Sequence, residues 1–175
     1  GFNTSGNCNI GIGSNSLFSN TSGNCNIGIG SNSLRNNING NSNVAIGQLS
    51  LNKNATGCYN VAIGDSSLSC NTKGNGNTSI GFTSLSANTT GKFNVSLGHK
   101  SMSNSQSVYN DLNYNISIGY KNMYKGCGQS NISMGNSSLY NVSQCMFGNI
   151  AIGDKSLREG TSISRNIGIG AVSLK

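Results

Sequence analysis

The chain has 175 residues, with 31 Asn, 25 Gly, no Pro, no Trp and only 9% charged residues. Four acids (Asp65, Asp111, Asp154 and Glu159) and the single His99 leave almost nothing from which to build acid–base or metal-assisted catalysis. The net charge of +7 comes from cations spaced singly along the chain, as at Arg35, Lys53, Lys92 and Lys155, so it reads as solubility instead of a nucleic-acid-binding run.

Such polarity usually accompanies disorder, but the chain is strictly periodic. A nine-residue unit of the form Asn43-Val44-Ala45-Ile46-Gly47-Gln48-Leu49-Ser50-Leu51 is written ten times. The structural repeat positions are its first residue, Asn9, Asn26, Asn43, Asn60, Asn77, Asn94, Asn115, Asn131, Asn149 and Asn166, and its fifth, Gly13, Gly30, Gly47, Gly64, Gly81, Gly98, Gly119, Gly135, Gly153 and Gly170. Self-similarity at a fixed short period is the mark of a repeat architecture. Positions two to four alternate large apolar, small, large apolar, which is the period of a short strand. Gly at position five ends it, because Gly takes a positive φ without strain. The predicted fold is all-β: a parallel β-solenoid of ten coils of about 17 residues, in which equivalent Asn side chains stack into amide ladders.

Along the chain, residues 1–102 hold the regular coils, with successive first-position Asn residues 17 apart from Asn9 to Asn94. A second half-coil there reads roughly Asn-Thr-x-Gly, as in Asn20-Thr21-Ser22-Gly23 and Asn88-Thr89-Thr90-Gly91. Residues 103–114 carry a four-residue insertion expected to bulge from one corner, and 115–175 form a less regular section of the same single domain. The chain opens in mid-coil and stops just after the last Leu of a repeat, so it reads as a fragment of a longer fibre.

Large apolar residues at positions two, four and nine are expected to fill the core. The third position would then face outward, yet Gly11, Gly28, Ala45, Ala62, Ser79, Ser96, Ser117, Ser133, Ala151 and Gly168 never exceed Ser in size. That limit marks them as the expected interface with a second copy of the chain. Phe82, His99 and Tyr120 share the sixth position on successive coils, beside Lys100 and Lys121, and are the candidate ligand contacts; ordinary stacking along a solenoid wall is the alternative. Cys8 and Cys25 share a phase, as do Cys127 and Cys145, so each pair is a candidate disulfide, with stacked free thiols as the alternative. No Cys-x-x-Cys is present, and no metal, cofactor or catalytic residue is expected. Asp65 and Asp154 share a phase five coils apart, roughly 24 Å at 4.8 Å per coil, too far for paired-carboxylate chemistry.

The core Asn43-Val44-Ala45-Ile46-Gly47, with Ser50, resembles the Asn-Ser-Val-Ala-Ile-Gly-x-x-Ser head repeat of trimeric autotransporter adhesins of the YadA type. The longer Asn-x-Ala-Ile-Gly-x-x-Ser-Leu-x-x-Asn-Thr-Thr-Gly form also looks like repeats in fibre proteins of phages and large DNA viruses. The resemblance implies a left-handed β-roll, a homotrimer, and a rigid adhesive segment projecting from a cell or virion surface. It also implies an extracellular location and a host surface protein or glycan as partner, with no nucleic acid and no direct membrane contact from this segment. The longer coil and the cysteines depart from the bacterial pattern and leave bacterial and viral origins open. Two alternatives from other classes are an ice-binding solenoid, which needs a regular Thr face, and a polyanion-binding repeat protein.

Overall fold

The computed structural model describes residues 3–104, 112–125, 127–142, 145–160 and 164–174. Its strands are β1 (Ile10–Ile12), β2 (Ile27–Ile29), β3 (Val44–Ile46), β4 (Val61–Ile63), β5 (Thr78–Ile80), β6 (Val95–Leu97), β7 (Ile116–Tyr120), β8 (Cys127–Gln129), β9 (Ile132–Asn136), β10 (Asn141–Val142), β11 (Cys145–Phe147), β12 (Ile150–Ile152), β13 (Glu159–Gly160) and β14 (Ile167–Ile169). Every repeat core predicted as a strand is one. Ten of them pair in parallel in a single sheet of order β1-β2-β3-β4-β5-β6-β7-β9-β12-β14. Equivalent residues are partners, as in Val44↔Val61, Ala45↔Ala62 and Ile46↔Ile63. The chain is an all-β parallel solenoid of about eight turns, with no helix among the described residues. Small two-stranded sheets, β8 with β11 and β10 with β13, close the other wall in the less regular section. Of the insertion, residues 105–111 lie outside the described residues. Leu112 is buried, and its carbonyl accepts from Asn94 Nδ2 at 2.7 Å, a role the Gly91 carbonyl plays for Asn77.

Asn is what makes the tight turns stack. Asn43 Nδ2 donates to Asn26 Oδ1 (3.1 Å) and to the Gly57 carbonyl (2.8 Å), and its Oδ1 accepts from the backbone N–H and Nδ2 of Asn60 (3.0 and 3.1 Å). One buried amide thus meets its whole bonding capacity, which a buried polar group needs to avoid a cost of roughly 1–3 kcal/mol. The pattern repeats from Asn9 to Asn166. A second ladder joins Asn3, Asn20, Asn37, Asn54, Asn71 and Asn88 at 2.7–2.9 Å. The position-five glycines all have positive φ, between 115° and 132°. At Gly47 an added Cβ would lie 2.7 Å from the carbonyl carbon of Gly64, the same residue one turn on.

The orientation of the strands is the reverse of the sequence expectation. The third-position residues face inward: Ala45, Ala62, Ser79, Ser96, Ser117, Ser133 and Ala151 are all fully buried within the single chain, as are Gly28 and Gly168 by class. Gly11 sits in the first strand and is exposed at that end. These residues are the solenoid's own interior, so they are not an interface with a sister chain. The reason for their size limit is the opposite wall. A Cβ on Gly28 would meet Ser16 Oγ at 2.6 Å and Leu17 Cγ at 3.4 Å, and one on Gly168 would meet Ser156 Oγ at 2.8 Å. A regular turn of 17 residues has room for one large aliphatic side chain, and the ninth-position Leu or Met takes it; Leu112 in the insertion and Met146 in the less regular section are buried as well. Leu34, Leu51, Leu68, Leu85, Met102, Met123 and Leu139 stack there at 0% exposure. Both that residue and the seventh-position one adopt left-handed φ, as in Leu51 (47°) and Leu49 (56°), at a cost of roughly 1 kcal/mol each that burial of the Leu offsets.

Candidate interaction surface

Turning the small residues inward turns the large ones out. Positions two and four supply twenty side chains, nineteen of them Ile, Val, Leu or Met and the other Thr78, and none is buried. Ile46 is 37% exposed, Ile80 40% and Ile152 37%, rising to 68% at Ile169 in the last strand. They form two straight ranks along a face about 43 Å long, ten strands at ~4.8 Å spacing. No charged residue interrupts either rank. Single exposed aliphatics are ordinary, but a contiguous apolar face of this length is a candidate interaction surface.

Aromatic columns rim the face. Strand β7 continues through Gly119 to Tyr120, so Ile116, Ile118 and Tyr120 alternate onto one side. The expected column of Phe82, His99 and Tyr120 forms, with ring centroids 5.2 and 5.5 Å apart and planes tilted by 25° and 23°. Lys100 Nζ lies 6.0 Å from the Phe82 centroid and Lys121 Nζ 5.1 Å from that of Tyr120. A hydrogen bond to Tyr120, followed by coulombic attraction to the same group, holds the Lys121 pKa above its ordinary value. The His99 ring is stacked on both sides, while Phe82 and Tyr120, at the ends of the column, are 45% and 46% exposed. The arrangement is that of an aromatic wall column with its two end rings partly exposed. A second column, Phe93 and Tyr114 (5.3 Å), lies just before the first-position Asn, and Gly76 below leaves room for the Phe93 ring.

Cys8 and Cys25 occupy the same phase as that second column and are free, exposed thiols, both at φ 56°, so no disulfide joins them. Parallel in-register neighbours project side by side, which keeps their sulfurs from facing each other. Cys127 and Cys145 are backbone partners in β8 and β11, and their side chains lie outside the described residues. Cys58, out of phase with the others, has a structural role. It replaces Asn in a third column, where Asn7 and Asn24 N–H groups donate to Asn24 and Asn41 Oδ1, and its Sγ accepts from the Asn41 N–H at 3.3 Å.

Thr4, Thr21 and Thr72 hydroxyls donate to carbonyls of the next turn. Among the described residues no three His, Cys, Asp or Glu side chains group as a metal site, and no helix is long and apolar enough to cross a membrane.

No family model, no curated protein and no solved structure matches the chain.

Proposed function

We propose that the chain is a rigid, non-enzymatic segment of a surface fibre that assembles with copies of itself through its Ile/Val face. The observation that carries this reading is the two unbroken ranks of outward aliphatic side chains. Twenty outward residues fall within the roughly 20–30 per partner of a stable interface. Burying the exposed part of each contributes roughly 1 kcal/mol, on the order of 20 kcal/mol in all, against an association cost of ~4–15 kcal/mol. The occupant is a second copy because ranks spaced at ~4.8 Å interlock best with ranks of the same spacing. Resemblance to adhesin heads and viral fibres supplies the finer reading: a left-handed roll of ten coils, three chains per rod, on a cell or virion surface, presenting a host protein or glycan with a stiff point of attachment.

Sedimentation of the wild-type chain and of the Val61→Lys, Ile63→Lys variant tests this. Both positions are solvent-facing, so the fold tolerates the change while placing charges within the apposed faces. The wild type is expected at a multiple of 18.1 kDa, trimeric on the finer reading, and the variant at 18.1 kDa. A monomeric wild type, or a variant of unchanged mass, overturns the proposal.

A further inference from the structure

The sequence contains ten Asn-x-Ser/Thr acceptor motifs for N-linked oligosaccharide: at Asn3, Asn20, Asn54, Asn77, Asn88, Asn94, Asn115, Asn131, Asn136 and Asn141. Their density follows from the repeat, which puts Asn at a ladder position and a small Ser or Thr two residues on. The solenoid then divides them sharply. Asn20, Asn54 and Asn88 are rungs of the second ladder, 0–3% exposed, and Asn77, Asn94, Asn115 and Asn131 are rungs of the first, at 0%. Asn3, Asn136 and Asn141 are exposed. We infer that the folded rod can carry N-linked glycan only at those three exposed sites, Asn3 being the solvent-facing end rung of the second ladder, and that transfer to any of the seven buried ladder Asn and closure of its turn exclude each other.

The chemistry makes the exclusion strict. Transfer bonds C1 of the sugar to the amide nitrogen, which gives up a proton, while a lipid pyrophosphate leaves the lipid-linked oligosaccharide donor. In the rod that nitrogen is fully engaged: Asn94 Nδ2 donates to Asn77 Oδ1 at 3.0 Å and to the Leu112 carbonyl at 2.7 Å, and Asn54 Nδ2 to Asn37 Oδ1 and the Gly57 carbonyl at 2.7 and 2.9 Å. Replacing an N–H by a sugar removes a rung and puts a bulky polar group where the neighbouring turns touch. The same fold therefore assembles freely where this transfer does not operate, and in competition with it where it does. This holds whether or not copies of the rod associate.

The experiment sends the chain, with an added leader, through a secretory pathway that performs the transfer, separates protease-resistant from protease-sensitive product, and maps glycan occupancy by peptide mass spectrometry. The resistant fraction is expected to bear no glycan at the seven ladder asparagines, the sensitive fraction to bear it there, and chemical blockade of transfer to raise the resistant fraction several-fold. A motif-silenced variant gives an independent check. Ser79→Ala, Ser96→Ala, Ser117→Ala and Ser133→Ala copy the Ala found at the same position in Ala45, Ala62 and Ala151, while Ser22→Lys, Thr56→Lys and Thr90→Lys copy Lys73. It should match the blocked wild type without blockade. A resistant rod glycosylated at Asn77 or any other of the seven buried ladder Asn overturns the inference. So does a ladder left unmodified in both fractions, or a chain that stays sensitive with transfer blocked.

Discussion

At the scale of single residues, the rod depends on side chains that meet the hydrogen-bonding demands of a tight turn, and at Cys58 a thiol does so in place of an amide. Its sulfur stands in for an amide oxygen toward the Asn41 N–H, and its own N–H donates to Asn75 Oδ1 at 2.7 Å. Sulfur is a poor acceptor. Cys58→Asn should therefore restore the column seen at Asn24 and Asn41 and raise stability by about 0.5–1.5 kcal/mol. A thermal melt followed by circular dichroism reads this as a higher midpoint; a lower one would show that the sulfur fits its corner better than the amide.

At the scale of the strand, the deciding feature is which side of a three-residue alternation faces in. Ala62 is fully enclosed, so Ala62→Gln forces a longer, polar side chain against the opposite wall and should cost roughly 1–3 kcal/mol for overpacking, with a further penalty for the buried amide. Ala62→Ser, the residue that Ser79 already supplies one turn on, should cost under about 1 kcal/mol. Urea titration of the two variants distinguishes them, and equal midpoints would place residue 62 outside the interior.

The strands, their register and the glycine corners were legible in the sequence because stacking requires identity at identical phase. The in–out sense was not, because alternation alone defines two faces without naming the buried one, and hydrophobicity pointed to Ile and Val. The signal that could have settled it was Asn43: a ladder Asn must lie inside to be satisfied, and position three shares its parity. The left-handed Leu49 and Leu51 corners left no trace, since neither residue type announces a positive φ. The aromatic columns were legible as positions, but how their rings would stack depended on spacing between turns. Strands β8, β10, β11 and β13, which lie outside the repeat core, had no strand signature of their own beyond the shared phase of Cys127 and Cys145.

At the scale of the whole molecule, each turn touches only its neighbours, so stability is a sum of repeat and nearest-neighbour terms. The ladder bonds run from one turn to the next, along the rod. Tension applied to the two ends consequently loads these contacts one after another, and the rod should pay out like thread from a spool. Each released turn adds about 56–61 Å of contour at 3.3–3.6 Å per residue for 17 residues, and single-molecule extension should record a train of near-equal steps. One abrupt rupture of the entire length would mean that the turns yield together. On the proposed reading as a fibre segment, stepwise lengthening under shear and rewinding on slackening would make the interval between one asparagine and the next a shock absorber.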